Sequence, residues 1–122
     1  MKRKLLAGFI IVALCGVAGF AADGMYKISE LFSKKTELKD KKVIVRGTVA
    51  KVSAGIMGKD WVRIQDGTQF EGKNEVIFTA PMDKAGVAPG DLVIAKGTLK
   101  TDVDLGAGYF YAVLVEESEF TK

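Results

Sequence analysis

The sequence predicts an all-β domain of five short strands, and three observations predict it. Five runs rich in Val, Ile and Thr, from Lys42 to Val52, Asp60 to Gln65, Glu75 to Ala80, Asp91 to Leu99 and Tyr109 to Glu116, are bounded by Gly, Pro, Asp and Asn, the punctuation of strands and turns. Within the second run, Trp61, Arg63 and Gln65 alternate with Val62 and Ile64, the period of a strand with one face buried. Finally, Val43-Ile-Val-Arg-Gly-Thr-Val49 returns fifty residues later as Val93-Ile-Ala-Lys-Gly-Thr-Leu99. One pair of copies is too few for a solenoid. A glycine inside a β-branched run is tolerated where a strand bends sharply or bulges, and Gly47 and Gly97 would allow this in a small closed barrel.

The chain opens with Met1-Lys-Arg-Lys4, an apolar run from Leu5 to Ala22, and small residues at Gly19 and Ala21. That is the build of a secretory signal peptide, so residues 1 to 21 are expected to be removed and the mature protein to work in the periplasm. The alternative is a retained N-terminal membrane anchor, for which the apolar run only just has the length. Tyr26-Lys-Ile-Ser-Glu-Leu-Phe32 places Ile28, Leu31 and Phe32 at helical spacing, a short amphipathic helix able to close one end of a larger structure. With the charged connector Lys34 to Lys42 it takes up residues 22 to 41, and the strands take up 42 to 120. Ser53 to Lys59 and Thr101 to Gly108 read as flexible glycine-containing loops, and Asp66-Gly67 ends the second strand. Pro81 to Gly90 has room for one helical turn before a tight turn at Pro89-Gly90.

Lys2, Arg3 and Lys4 are three of the eighteen basic residues, while all fifteen acids lie beyond them. The mature chain therefore carries fifteen of each sign, and its near-zero net charge gives no support to nucleic-acid binding. The only cysteine, Cys15, lies in the signal, and histidine is absent. This removes zinc and copper sites built on nitrogen and sulfur ligands, haem attachment through Cys-x-x-Cys-His, and Ser-His or Cys-His catalysis. No cofactor is expected, and the core must hold without a disulfide.

Five strands with a short connection between the third and fourth resemble the OB-fold, a five-stranded Greek-key barrel. The residues that carry the resemblance are Val43 to Val49 in strand one, Trp61-Val-Arg-Ile-Gln-Asp-Gly67 in strand two, and Pro89-Gly-Asp-Leu-Val-Ile-Ala-Lys-Gly97 in strand four. The domain is similar to the anticodon-binding type of nucleic-acid OB domain over nearly all of Lys42 to Glu116. Those residues are mostly architectural, so the resemblance implies the barrel more strongly than the ligand. Gly106-Ala-Gly-Tyr-Phe-Tyr111 with Val113-Leu-Val-Glu116 also resembles small exported proteins of the NrfJ type, associated with periplasmic nitrite reductase and its cytochromes. That likeness implies an accessory role beside a multihaem cytochrome, since the mature chain has no residues to bind a c-type haem itself.

On an OB barrel the binding surface is the outer face of strands two and three with the flanking loops. Trp61, Arg63 and Gln65 would lie on that face, Phe78 on strand three and Met57 and Lys59 in the first loop would border it, and Tyr109 and Tyr111 would form its far wall. Such an aromatic platform beside an arginine stacks bases, holds a cation or anchors a protein or small-molecule partner. The competing expectation is that the helix around Leu31 and Phe32 covers Trp61, and that Tyr109, Phe110 and Tyr111 put one face into the core. A non-enzymatic binding module is thus the first reading. Single-stranded nucleic-acid binding, with Lys41, Lys42, Arg46, Lys51, Lys59 and Arg63 tracking phosphates, is the second. Catalysis by Asp102, Asp104, Glu116, Glu117 and Glu119 ranks third, because no pair among them is set opposite another by spacing. Calcium-loop spacing is missing too, and Gly55 to Gly58 and Gly106 to Gly108 lack the Gly-Lys-Ser/Thr of a phosphate loop.

Overall fold

A computed structural model describes residues 25–122 of the chain. The expected signal peptide or anchor, residues 1–21, lies outside the described residues. Among the described residues, no helix is long and apolar enough to cross a membrane. Two short helices, α1 (Ile28–Ser33) and α2 (Lys35–Leu38), precede five strands: β1 (Lys42–Ile56), β2 (Lys59–Gln65), β3 (Val76–Pro81), β4 (Leu92–Gly106) and β5 (Tyr109–Thr121). The protein is mostly β, as the strand-like runs predict.

Each strand pairs with two others, and the order β1-β2-β3-β5-β4 returns to β1. All pairings are antiparallel except β3 with β5, which meet in parallel at Phe78 and Val115. Alternation decides what enters the ring: Val43, Val45 and Val49 from β1, Val62 and Ile64 from β2, Val93, Ala95 and Leu99 from β4 are all buried in one core. Burying a Val or Leu side chain contributes about 1.5–3 kcal/mol, so this set dominates the stability.

The fifty-residue echo extends well beyond the seven residues that reveal it. β1 and β4 begin at Lys42 and Leu92 and end at Ile56 and Gly106, and Val45 pairs directly with its counterpart Ala95. Here the expected loops Ser53 to Lys59 and Thr101 to Gly108 are corrected. Both are continuations of strands, folded into long hairpins with two-residue turns at Met57-Gly58 and Ala107-Gly108. All four turn residues have positive φ, from 53° to 86°, the backbone that matches the right-handed twist of a tight hairpin. Gly55 and Gly106 fall at register shifts and also have positive φ, so these glycines mark bulges rather than loops. Alanine pays a steric penalty in the left-handed region that asparagine largely escapes. Ala107→Asn is therefore expected to raise stability by about 0.5–1 kcal/mol, read as a higher urea midpoint at unchanged slope.

The helical expectation for Tyr26 to Phe32 is met by α1, whose Ile28 and Leu31 are fully buried in the common core. The connector Lys34 to Lys42 is corrected: it contains α2, because Leu38 is buried and anchors a single turn among the charges. The start of α1 is capped from a remote segment. Asp66 Oδ2 accepts the Ile28 N–H at 2.9 Å and Thr68 Oγ1 accepts the Ser29 N–H at 2.9 Å, while the Thr68 hydroxyl donates to Asp66 Oδ1 at 2.6 Å. Burial alone would raise the Asp66 pKa, but the hydrogen bonds from the Thr68 hydroxyl and from the Ile28 and Thr68 amides outweigh it and hold the carboxyl below its ordinary value. A depressed folded-state pKa contributes stability that is complete above the unfolded value and is lost as pH falls through the folded one. Asp66→Ala should cost about 1–2 kcal/mol at neutral pH, and the gap to wild type should narrow as urea titrations move below about pH 4.

Between β3 and β4 no helical turn forms. Lys84 N–H donates to the Pro81 carbonyl at 3.0 Å, and Asp91 N–H donates to the Ala88 carbonyl at 3.1 Å across Pro89-Gly90. Gly90 has φ of 94°, as the third residue of a type II turn requires.

Candidate functional site

Because Val62 and Ile64 point inward, Trp61 and Arg63 stand on the outside of β2. Pairing then assembles two rungs: Ser53, Trp61 and Thr79 across β1, β2 and β3, and next to it Lys51, Arg63 and Ile77. Trp61 is half-buried on the outside of the ring, and no residue of α1 lines the cleft it faces. Its indole N–H donates to the Ile56 carbonyl at 2.7 Å, which ties the ring to the end of β1, and it packs on Tyr111 with centroids 6.2 Å apart and planes tilted by 36°. Trp61 and Tyr111 are themselves fifty residues apart. The two hairpins thus bring equivalent positions together.

Between the hairpin tips lies a cleft of about 210 Å³. Trp61, Arg63, Met57, Tyr109 and Tyr111, all anticipated from the sequence, line it with Ile77. Met57 and Tyr109 stand at the mouth, 60% and 57% exposed. Contrary to the core expectation for the Tyr109-Phe110-Tyr111 trio, none of the three is buried, because this part of β5 belongs to the hairpin arm.

Three anticipated residues are not part of the cleft. Phe78 is corrected outright: it is fully buried and packs edge-on against Phe120 with centroids 6.4 Å apart. In a run apolar on both faces, Val76 to Ala80, the parity is invisible, and the residue facing outward is Ile77. Gln65 lines a separate polar hollow together with Arg46, Thr48 and Asn74, and Lys59 pairs with Ile56 and Pro81 without lining the cleft. The sequence reading missed Ile56, Ser53 and Leu105, which line the cleft; only a strand reading of the two glycine-containing segments would have found them.

Electrostatically the face is mild. Arg63 Nε lies 3.5 Å from Glu75 Oε1, and both side chains are partly exposed, so the pair contributes little stability. Its remaining N–H donors are not used by that contact. Lys51 shares its rung, whereas Arg46 lies in the other hollow and Lys42 pairs with Thr98 at the far end of β1. The six cations proposed to track phosphates thus do not line the cleft together. Among the described residues, no group of three His, Cys, Asp or Glu side chains is arranged to hold a metal ion. The chain matches no known protein-family model, and no curated protein matches it significantly.

Proposed function

We propose that the chain is an exported OB-fold binding module that works by engaging a protein partner, without catalysis, through the Trp61 cleft. The observation that carries this reading is the meeting of two hairpin tips around an aromatic cleft with an apolar mouth. Trp, Tyr, Met and Arg are the side chains enriched where proteins grip one another, and a small apolar hollow fits one anchoring side chain of a partner. The OB reading is supported by the ring order β1-β2-β3-β5-β4 and by the long first and fourth connections, here hairpin tips, that flank the β2–β3 face. The resemblance to NrfJ-type proteins makes a periplasmic multihaem cytochrome the partner to look for.

The test is capture from a periplasmic extract by the C-terminally tagged full chain, with bound proteins identified by mass spectrometry. Trp61→Ala is expected to weaken capture by at least about thirtyfold, the loss of a hot-spot residue, while Leu92→Ala on the exposed face of β4 leaves it intact. Equal capture by both variants would place the partner elsewhere.

A further inference from the structure

We infer that the partner presents an extended peptide in which an apolar or aromatic residue is followed or preceded, two positions away, by an acidic one. This deepens the proposed function and rests on it. A second hollow, about 320 Å³, continues the cleft across β2, β3 and β5, since Arg63, Ile77 and Tyr111 line both. It adds charge to an apolar lining, since Lys73, Asn74 and Glu75 line it together with Phe32 and Phe110. The continuous groove therefore keeps an apolar floor throughout and gains a second cation, Lys73, beyond Arg63.

The charge balance of that second half sets the ligand's sign. Arg63 and Lys73 line it with a single acid, Glu75, and among the described residues Lys73 takes part in no ion pair. Glu75 engages Arg63 at Nε and leaves the outer guanidinium nitrogens able to grip a carboxylate. Spacing sets the motif. Trp61 and Arg63 are two residues apart on one strand, about 6.4–6.8 Å, and so are side chains i and i+2 on one face of an extended peptide. A peptide lying along β2 would seat its apolar side chain against Trp61 and its carboxylate at Arg63 and Lys73. Nucleic acid fits less well, because its regular charge would meet the apolar mouth at Met57 and Tyr109.

As the only tryptophan, Trp61 supplies a single indole resonance that reports on the cleft. Full-length ¹⁵N-labelled protein would be titrated with blocked peptides carrying Phe-Gly-Asp, Phe-Gly-Lys or Ala-Gly-Asp between glycines, and with oligothymidylate. The expected result is that Phe-Gly-Asp shifts the indole and binds at least about tenfold more tightly than either other peptide. In a Lys73→Gln, Arg63→Gln double variant the Asp-over-Lys preference should vanish while the indole shift with the phenylalanine peptides persists. Equal affinity for the Asp and Lys peptides would overturn the acidic half of the motif and leave the Trp61 binding module standing. No indole shift with any peptide, or tighter binding of oligothymidylate with steep salt dependence, would overturn the peptide assignment. Capture that depends on Trp61 is read separately, in the extract.

Discussion

Gly97→Ala is expected to destabilise the protein by about 3 kcal/mol, lowering the thermal midpoint by about 12–24 °C. A methyl group built on Gly97 would lie 2.6 Å from Ser118 Oγ, 2.6 Å from Val115 Cγ1 and 2.8 Å from the Glu116 carbonyl oxygen. Ser118 can rotate away; Val115 is fully buried and Glu116 O is backbone. The strands are at their closest here for a reason visible in the register. Between the pairs Lys96↔Glu119 and Thr98↔Glu116, β5 carries an extra residue opposite Gly97, and Glu117 takes φ of 55°, so the bulge presses β5 onto β4. Gly47→Ala is predicted to behave alike, because its added methyl would meet Gln65 O and Ile64 Cγ2 at 2.7 Å. Adding Ser118→Ala to Gly97→Ala should recover little of the loss in calorimetry, since two of the three contacts remain. A cost below about 1 kcal/mol for Gly97→Ala would show that the strands separate easily there.

Those two glycines show what was legible in the sequence. A glycine at the same place in two similar β-branched runs has no propensity to recommend it, so its reason had to be tertiary. The interior faces of β1, β2 and β4 were likewise readable, because apolar and polar residues alternate there. In β3 every residue from Val76 to Ala80 except Thr79 is apolar, which conceals parity and put Phe78 on the wrong side. Hairpin tips were hidden for another reason: Met57 and Ala107 occupy turn positions where Asn or Asp is the usual signal, so the glycines beside them read as loops. The site followed suit. Trp61, Arg63 and Tyr111 came from alternation and aromatic content, whereas Ile77 and Leu105 depend on strand partners that only the folded register supplies.

Asp60 was the least visible residue of consequence, a lone acid at the start of a strand, and its removal should cost about 3 kcal/mol. Its side chain is buried, yet it meets no cation among the described ion pairs. Instead, Oδ1 accepts the Gly55 N–H at 3.1 Å, and Oδ2 accepts those of Asp83 at 3.1 Å and Ala85 at 3.5 Å. One carboxylate thus fastens the β1 bulge and the segment after β3 to the tip end of the hairpin that carries Trp61. Hydrogen bonds to a charged acceptor contribute about 1.5–3 kcal/mol, and the amides abandoned in Asp60→Ala would lose their partner in a poorly solvated place. Asp60→Asn should be nearly as harmful. Both sides of the carboxylate face N–H donors, so whichever way the amide turns, its own NH₂ meets a donor. Chemical denaturation of the two variants is expected to give similar losses, and Trp61 fluorescence of the folded variants should shift to the red as the hairpin loosens around the indole. If Asn restored most of the stability, a single acceptor would suffice, and the three-way clasp beneath the cleft would not be what holds the hairpin in place.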